Sequence, residues 1–194
     1  GSPAVHLTEQ IGGVRMFALT LNPALLVLLA SMLAVSLWRD ARHHRIDNWI
    51  TFTGAFLGIA VQGGLAGASG AMQAAAGGGV GLLVLLPFYM RGGMAAGDVK
   101  LMAAAGTCLG PLAAFWAGAY TLVTGAFLAL LFVGVRGGLG QTVGHMRRQF
   151  RGYALTRVWV PAASHSVLSQ RFPYAAAIAG GCLLLVFAGL PPGF

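Results

Sequence analysis

Four acidic residues stand in this chain of 194: Glu9, Asp40, Asp47 and Asp98. Glu9 belongs to an N-terminal extension, and the other three flank long apolar runs. A carboxylate close to membrane depth is costly, and that cost invites a functional reading. Two carboxylates that meet at one site titrate together, so that one is ionised while the other holds a proton. The ionised member takes a proton from water, and the protonated member polarises a scissile carbonyl. This is aspartic-protease chemistry, and it requires neither metal nor cofactor. Asp40 and Asp98 are the pair that this reading selects. Asp98 opens an apolar run after the glycine-rich stretch 91–97, where glycines let another backbone approach. A plainer reading stands beside it: Asp40 pairs with Arg39, Arg42 or Arg45, and Asp98 is a favourable residue at a helix N-terminus, with Lys100 nearby.

Other chemistries fit less well. No G-x-S-x-G or H-E-x-x-H pattern occurs, so neither a nucleophile elbow nor a zinc-peptidase helix is expected. Ser164, His165 and Ser166 adjoin one another in sequence, which does not make a triad. His43 and His44 read as neighbours in a solvated loop, and Gly77-Gly78-Gly79 as helix packing. Cys108 and Cys182 lie in apolar stretches without a CxxC pair and read as small buried hydrophobes. No metal site and no cofactor are expected.

The elements that must position these carboxylates are membrane helices. The chain is 57% hydrophobic and 8% charged, against roughly 25% charged residues in an ordinary soluble domain. Its 30 glycines suit helices that approach closely in lipid. Apolar runs of about 18 residues read as spans. Six segments follow: 23–38, 49–65, 72–90, 99–110, 111–135 and 174–190. The stretch 66–70 separates the second from the third, and the breaker Gly110-Pro111 splits the fourth from the fifth. That break leaves a fourth segment of about 12 residues, too short to cross roughly 30 Å of hydrocarbon. Either it starts inside the membrane, shielded by its neighbours, or the break lies later.

Charge sets the orientation. With the N-terminus outside, the inner loops 39–48, 91–100 and 136–173 hold every basic residue except Arg15, that is 11 of the 12 Lys and Arg. The expected fold is therefore an all-α, polytopic integral membrane protein with six transmembrane helices, N-out/C-out. The net charge of +8 follows from this placement and not from a nucleic-acid partner. Residues 1–20 are read as a tag remnant (Gly1-Ser2) or N-terminal extension. Residues 21–194 form the six-helix membrane domain, with a basic, topology-setting cytoplasmic loop at 136–173. Oligomeric state is not legible in these patterns.

Three stretches carry a family resemblance. They are Asp40-Ala-Arg-His-His-Arg-Ile-Asp-Asn48-Trp-Ile-Thr51, Gly97-Asp98-Val-Lys100-Leu-Met-Ala-Ala-Ala-Gly106, and Phe172-Pro173-Tyr174-Ala-Ala-Ala-Ile-Ala-Gly180. In this order, over residues 23–190, the chain resembles the type IV prepilin peptidases, most of all their short Flp/Tad-type members. The resemblance implies that Asp40 and Asp98 are catalytic. It implies supporting or substrate-binding roles for Gly97, Lys100, Asn48, Pro173 and Tyr174. The implied substrate is a prepilin or pseudopilin with a positively charged leader and a hydrophobic helix, cut at the cytoplasmic face of the bacterial inner membrane, in service of type IV pilus assembly or protein secretion. The chain departs from the family pattern at Ala95, where Gly-x-Gly-Asp is usual, at Asp47 in place of the proline of Ile-Pro-Asn, and at Ala175 after Pro-Tyr. Asp47 is read as a loop residue. The paired-CxxC domain of longer members has no counterpart here, which implies proteolysis without N-methylation. The competing readings are a cation- or proton-coupled transporter, for which midplane charges and inverted repeats are the signs, and a non-catalytic membrane subunit of a secretion assembly.

Overall fold

The computed structural model describes residues 22–43, 48–91, 93–135 and 174–188. Five helices account for nearly all of them: α1 (Pro23–His43), α2 (Asn48–Met90), α3 (Ala96–Leu109), α4 (Pro111–Val135) and α5 (Tyr174–Ala188). No strand occurs among the described residues. The loop 136–173 lies outside them, as do Asp47, His44, Arg45 and Pro173.

The helix ends follow from local chemistry. The Asn22 side chain accepts a hydrogen bond from the Ala24 N–H at 2.9 Å, and Pro23 takes the first helical position, where its missing N–H costs nothing. α1 does not stop at residue 38; it continues through Arg39 and Asp40 to His43. Asp40 thus stands on a helix and not in a loop, and the backbone of His43 is helical too. α2 needs no separating stretch between its two apolar runs. It is helical from Asn48 to Met90 except at Gly67, whose φ of 65° and ψ of −150° reverse the chain. Only glycine adopts that conformation at little cost. Beyond the turn, Gly70 lies against the Gln62 carbonyl and Gly63 against Ala71, so the two arms of α2 fold back on one another.

α3 starts earlier than the hydropathy suggests, at Ala96, and ends where Gly110-Pro111 predicts. Its 14 residues reach about 21 Å. The arms of α2 enclose it. Gly54 and Gly58 of the first arm face Ala104 and Thr107, while Gly77 and Gly81 of the second face Gly106 and Met102. The first arm therefore runs parallel to α3 and the second antiparallel. At the far end of α3, the Gln62 side chain donates to the carbonyls of Thr107 (2.8 Å) and Cys108 (3.2 Å). Terminal helix carbonyls have no partner within the helix, and in a non-aqueous setting each would be costly. Gln62 satisfies two, and the Gly110 N–H satisfies that of Gly106 at 2.9 Å. Gly110, at φ 80°, then caps α4, receiving the Ala114 N–H at 2.9 Å.

α4 and α5 pack as a second pair. The Thr124 hydroxyl donates to the Ala177 carbonyl at 2.9 Å, and Gly181 admits Thr121. Leu85, Leu101, Met102, Ile178 and Leu185 are fully buried between the elements. Large apolar side chains also cover the outside: Val27, Phe56, Met72, Leu83, Val123, Phe127 and Phe187 are all more than half exposed. A soluble surface does not expose so many large apolar side chains. α1, α2 and α4 are each long and apolar enough to cross a bilayer, and α5 is a shorter apolar helix. The described residues form an all-helical bundle with the length and apolarity of an integral membrane protein.

Candidate active site

The charged side chains of the described residues gather at one end of the helices. They are Arg39, Asp40, Arg42, Arg91, Asp98 and Lys100. α1 brings the first three in its final turns; α3 brings Asp98 and Lys100 in its opening turns. The rest of α1 to α5 is uncharged.

Asp98, the third residue of α3, is only 5% exposed. Its Oδ2 accepts a hydrogen bond from the Ala95 N–H at 3.2 Å, while its own N–H donates to the Ala95 carbonyl at 3.1 Å. This is one half of a capping box; alanine has no side-chain acceptor to supply the other. Ala95 itself is extended, at φ −82° and ψ 151°. The plainer reading of Asp98 as a helix-terminal residue thus has a structural counterpart, although a cap alone does not require burial.

Asp40 is half-buried with its Oδ2 enclosed. It lies within electrostatic range of Asp98, and Asp98 in turn lies within range of Tyr174, at the start of α5. Three helices therefore converge: α1 with Asp40, α3 with Asp98 and α5 with Tyr174. Beside them, the Lys100 ammonium donates to Asn48 Oδ1 at 2.9 Å and lies 5.7 Å from the centre of the Phe52 ring. That bond ties the first turn of α3 to the first turn of α2. Gly97, half-buried, sits between the cap and Asp98. On the outer side of α1, the Arg42 guanidinium stacks 4.7 Å above the Trp38 ring. Among the described residues no group of three or more His, Cys, Asp or Glu side chains is arranged to hold a metal ion.

Two polar residues near these elements escape sequence reasoning. Gln62 gives no signal of its own, because its partners are carbonyls brought close only by folding. Ser36 does leave one: it precedes Asp40 by four residues, on the same helix face, and it is fully buried.

Comparison with families of known proteins matches residues 27–135 to the type IV leader peptidase family. The match takes in more than half of the chain, from α1 to the end of α4, and includes Asp40 and Asp98. The chain belongs to the type IV leader peptidase family. Membership makes it a membrane-embedded protease of prepilin leader peptides. No curated protein and no solved structure matches the chain.

Proposed function

We propose that the chain is an intramembrane aspartyl endopeptidase in which Asp40 and Asp98 form the catalytic pair. The observation that carries this reading is the burial of Asp98 within electrostatic reach of Asp40, at the one end of the helices where charge collects. Two carboxyls so disposed share a proton. The ionised one takes a proton from a water molecule, whose oxygen attacks the scissile carbonyl carbon. The protonated one donates to the carbonyl oxygen, giving a tetrahedral diol. Collapse breaks the C–N bond, the proton taken from water passes to the leaving amine, and one diol hydroxyl returns a proton to the carboxylate that had donated its own. Neither carboxylate is consumed, and no cofactor takes part.

The substrate in this reading is a Flp-like prepilin or pseudopilin. Its hydrophobic helix lies in the bilayer while its charged leader stays at the cytoplasmic face of the bacterial inner membrane. The chain crosses six times, N-out/C-out, with the arms of α2 counted as separate crossings; the basic residues beside Asp40 and Asp98 support that orientation. Lys100, Asn48 and Gly97 support the opening turns of α3 and Tyr174 opens α5 at the site, while Pro173 keeps the supporting role that the family resemblance implies. The chain cleaves without N-methylating the new terminus.

Co-expression with a Flp-type prepilin tests this reading, with the product followed by gel mobility and the mass of its mature N-terminus. The expected result is a shortened pilin bearing an unmodified amine. An uncut prepilin contradicts the peptidase assignment, and a methylated terminus contradicts proteolysis alone.

A further inference from the structure

Trp38 and Arg42 take no part in the proposed site, yet they form a pair of their own. They are four residues apart on α1, and the Arg42 guanidinium lies 4.7 Å from the centre of the Trp38 ring. Both side chains are exposed, that of Trp38 by 56%. A cation is drawn to the face of an indole. A guanidinium held there keeps its N–H donors in its own plane, around its edge. Among the described residues, those donors make no hydrogen bond or ion pair. The edge is open to an acceptor from outside these helices.

The outer face of α1 says what that acceptor is. Val27, Ser31, Val35, Trp38 and Arg42 recur every three or four residues, hence on one side of the helix, and all five are exposed. The stretch Pro23–Arg42 is 20 residues long, about 30 Å of helix, which is the thickness of the hydrocarbon core. Val27 to Trp38 therefore runs alongside acyl chains; the Ser31 hydroxyl is turned back to the Leu28 carbonyl at 2.9 Å. Arg42 reaches the level where headgroups begin, and an indole suits that boundary. A guanidinium edge matches phosphate oxygens two at a time. The charged end also carries more cations (Arg39, Arg42, Arg91 and Lys100) than carboxylates (Asp40 and Asp98). That excess favours a lipid whose phosphate charge is not balanced by a cation of its own.

We propose that Trp38 and Arg42 form a binding site for an anionic phospholipid of the leaflet at the charged end of the helices. The lipid phosphate meets the guanidinium edge, and an acyl chain lies along Trp38, Val35 and Val27. Asp40 stands between the two residues in sequence but on the other side of α1, half-buried with its Oδ2 enclosed. The lipid thus grips the turns that carry Asp40 without touching it. The site requires only a membrane and this helix end, so it stands apart from the peptidase reading.

Native mass spectrometry of the full chain in an uncharged detergent tests this, with dioleoylphosphatidylglycerol and dioleoylphosphatidylcholine offered at equal concentration. The wild type is expected to retain the phosphatidylglycerol in preference. Arg42→Gln should lower that preference roughly fivefold, the effect of one basic side chain at an anionic surface. Trp38→Leu keeps the charge and removes the ring, and should lower it about twofold. Arg91→Gln, an exposed cation at the same end, should leave it unchanged. Equal retention of the two lipids by the wild type overturns the site, as does an undiminished preference in Arg42→Gln or in Trp38→Leu. An equal loss in Arg91→Gln overturns it too, since overall charge would then suffice. Inorganic phosphate in excess should not displace the lipid; displacement assigns the pair to a free anion and overturns the lipid assignment.

Discussion

Asp98 has two tasks in this fold, and they are separable. One oxygen caps its own helix through the Ala95 N–H, an interaction whose loss typically costs about 0.5–2 kcal/mol. The other task, in the proposed chemistry, is titration. Asparagine keeps a carbonyl oxygen for the cap and loses the proton exchange, whereas alanine loses both. A fall in activity in Asp98→Asn is therefore chemical, while the same fall in Asp98→Ala is ambiguous. Lys100 and Asn48 allow a second separation. Their hydrogen bond at 2.9 Å joins two helix starts at an exposed site, where such a bond contributes on the order of 1 kcal/mol. Lys100→Met and Asn48→Ala should each slow prepilin cleavage without abolishing it. Their effects should be non-additive in a double-mutant cycle on the cleavage rate, with a coupling on the order of 1 kcal/mol. Strict additivity would show that the two side chains act independently.

At the scale of elements, α3 is the piece that must be held. Too short to span by itself, it is enclosed by the arms of α2, and glycine makes the enclosure possible. A Cβ on Gly77 would strike the Gly106 carbonyl and the Gly110 backbone, whereas a Cβ on Gly79, two residues later, would meet nothing. Gly77→Ala should cost roughly 1–3 kcal/mol through overpacking, with cleavage falling alongside. Gly79→Ala should be neutral or stabilising, since alanine is the better helix former by about 1 kcal/mol. Thermal unfolding of the two variants in one detergent checks this, and equal stabilities would contradict the packing. Much of this architecture was legible in the sequence. Gly110-Pro111 breaks the chain where it should, and the apolar runs mark the helices. What escaped were helix ends set by polar residues. Hydropathy ends α1 at Trp38 because Arg39 and Asp40 are polar, yet the backbone continues to His43 and carries Asp40 on a helix face. Likewise a five-residue separator was expected where one glycine suffices, because φ cannot be read from composition. Gln62 was invisible because its partners lie 45 and 46 residues away.

At the scale of the whole molecule, the distribution of charge organises everything else. The uncharged lengths of the helices suit the bilayer, and one end collects Arg39, Asp40, Arg42, Arg91, Asp98 and Lys100. A transporter places its carboxylates near the midplane; here both lie at helix ends, where a substrate crossing the membrane surface would present its peptide bond. That Asp40 and Asp98 are candidates was legible in the sequence, as two of only four acidic residues. Their approach was not, since Asp40 and Asp98 lie on helices that meet only in the folded bundle. The family match spans both helices, so the decisive measurement concerns these two side chains. Prepilin cleavage by the wild type, Asp40→Asn, Asp98→Asn and Asp47→Asn should be compared at equal expression. A loss of at least about 1,000-fold, the scale on which a member of a catalytic unit acts, is expected for Asp40→Asn and for Asp98→Asn, with Asp47→Asn still active. Full processing by either Asp40→Asn or Asp98→Asn would contradict the catalytic pair.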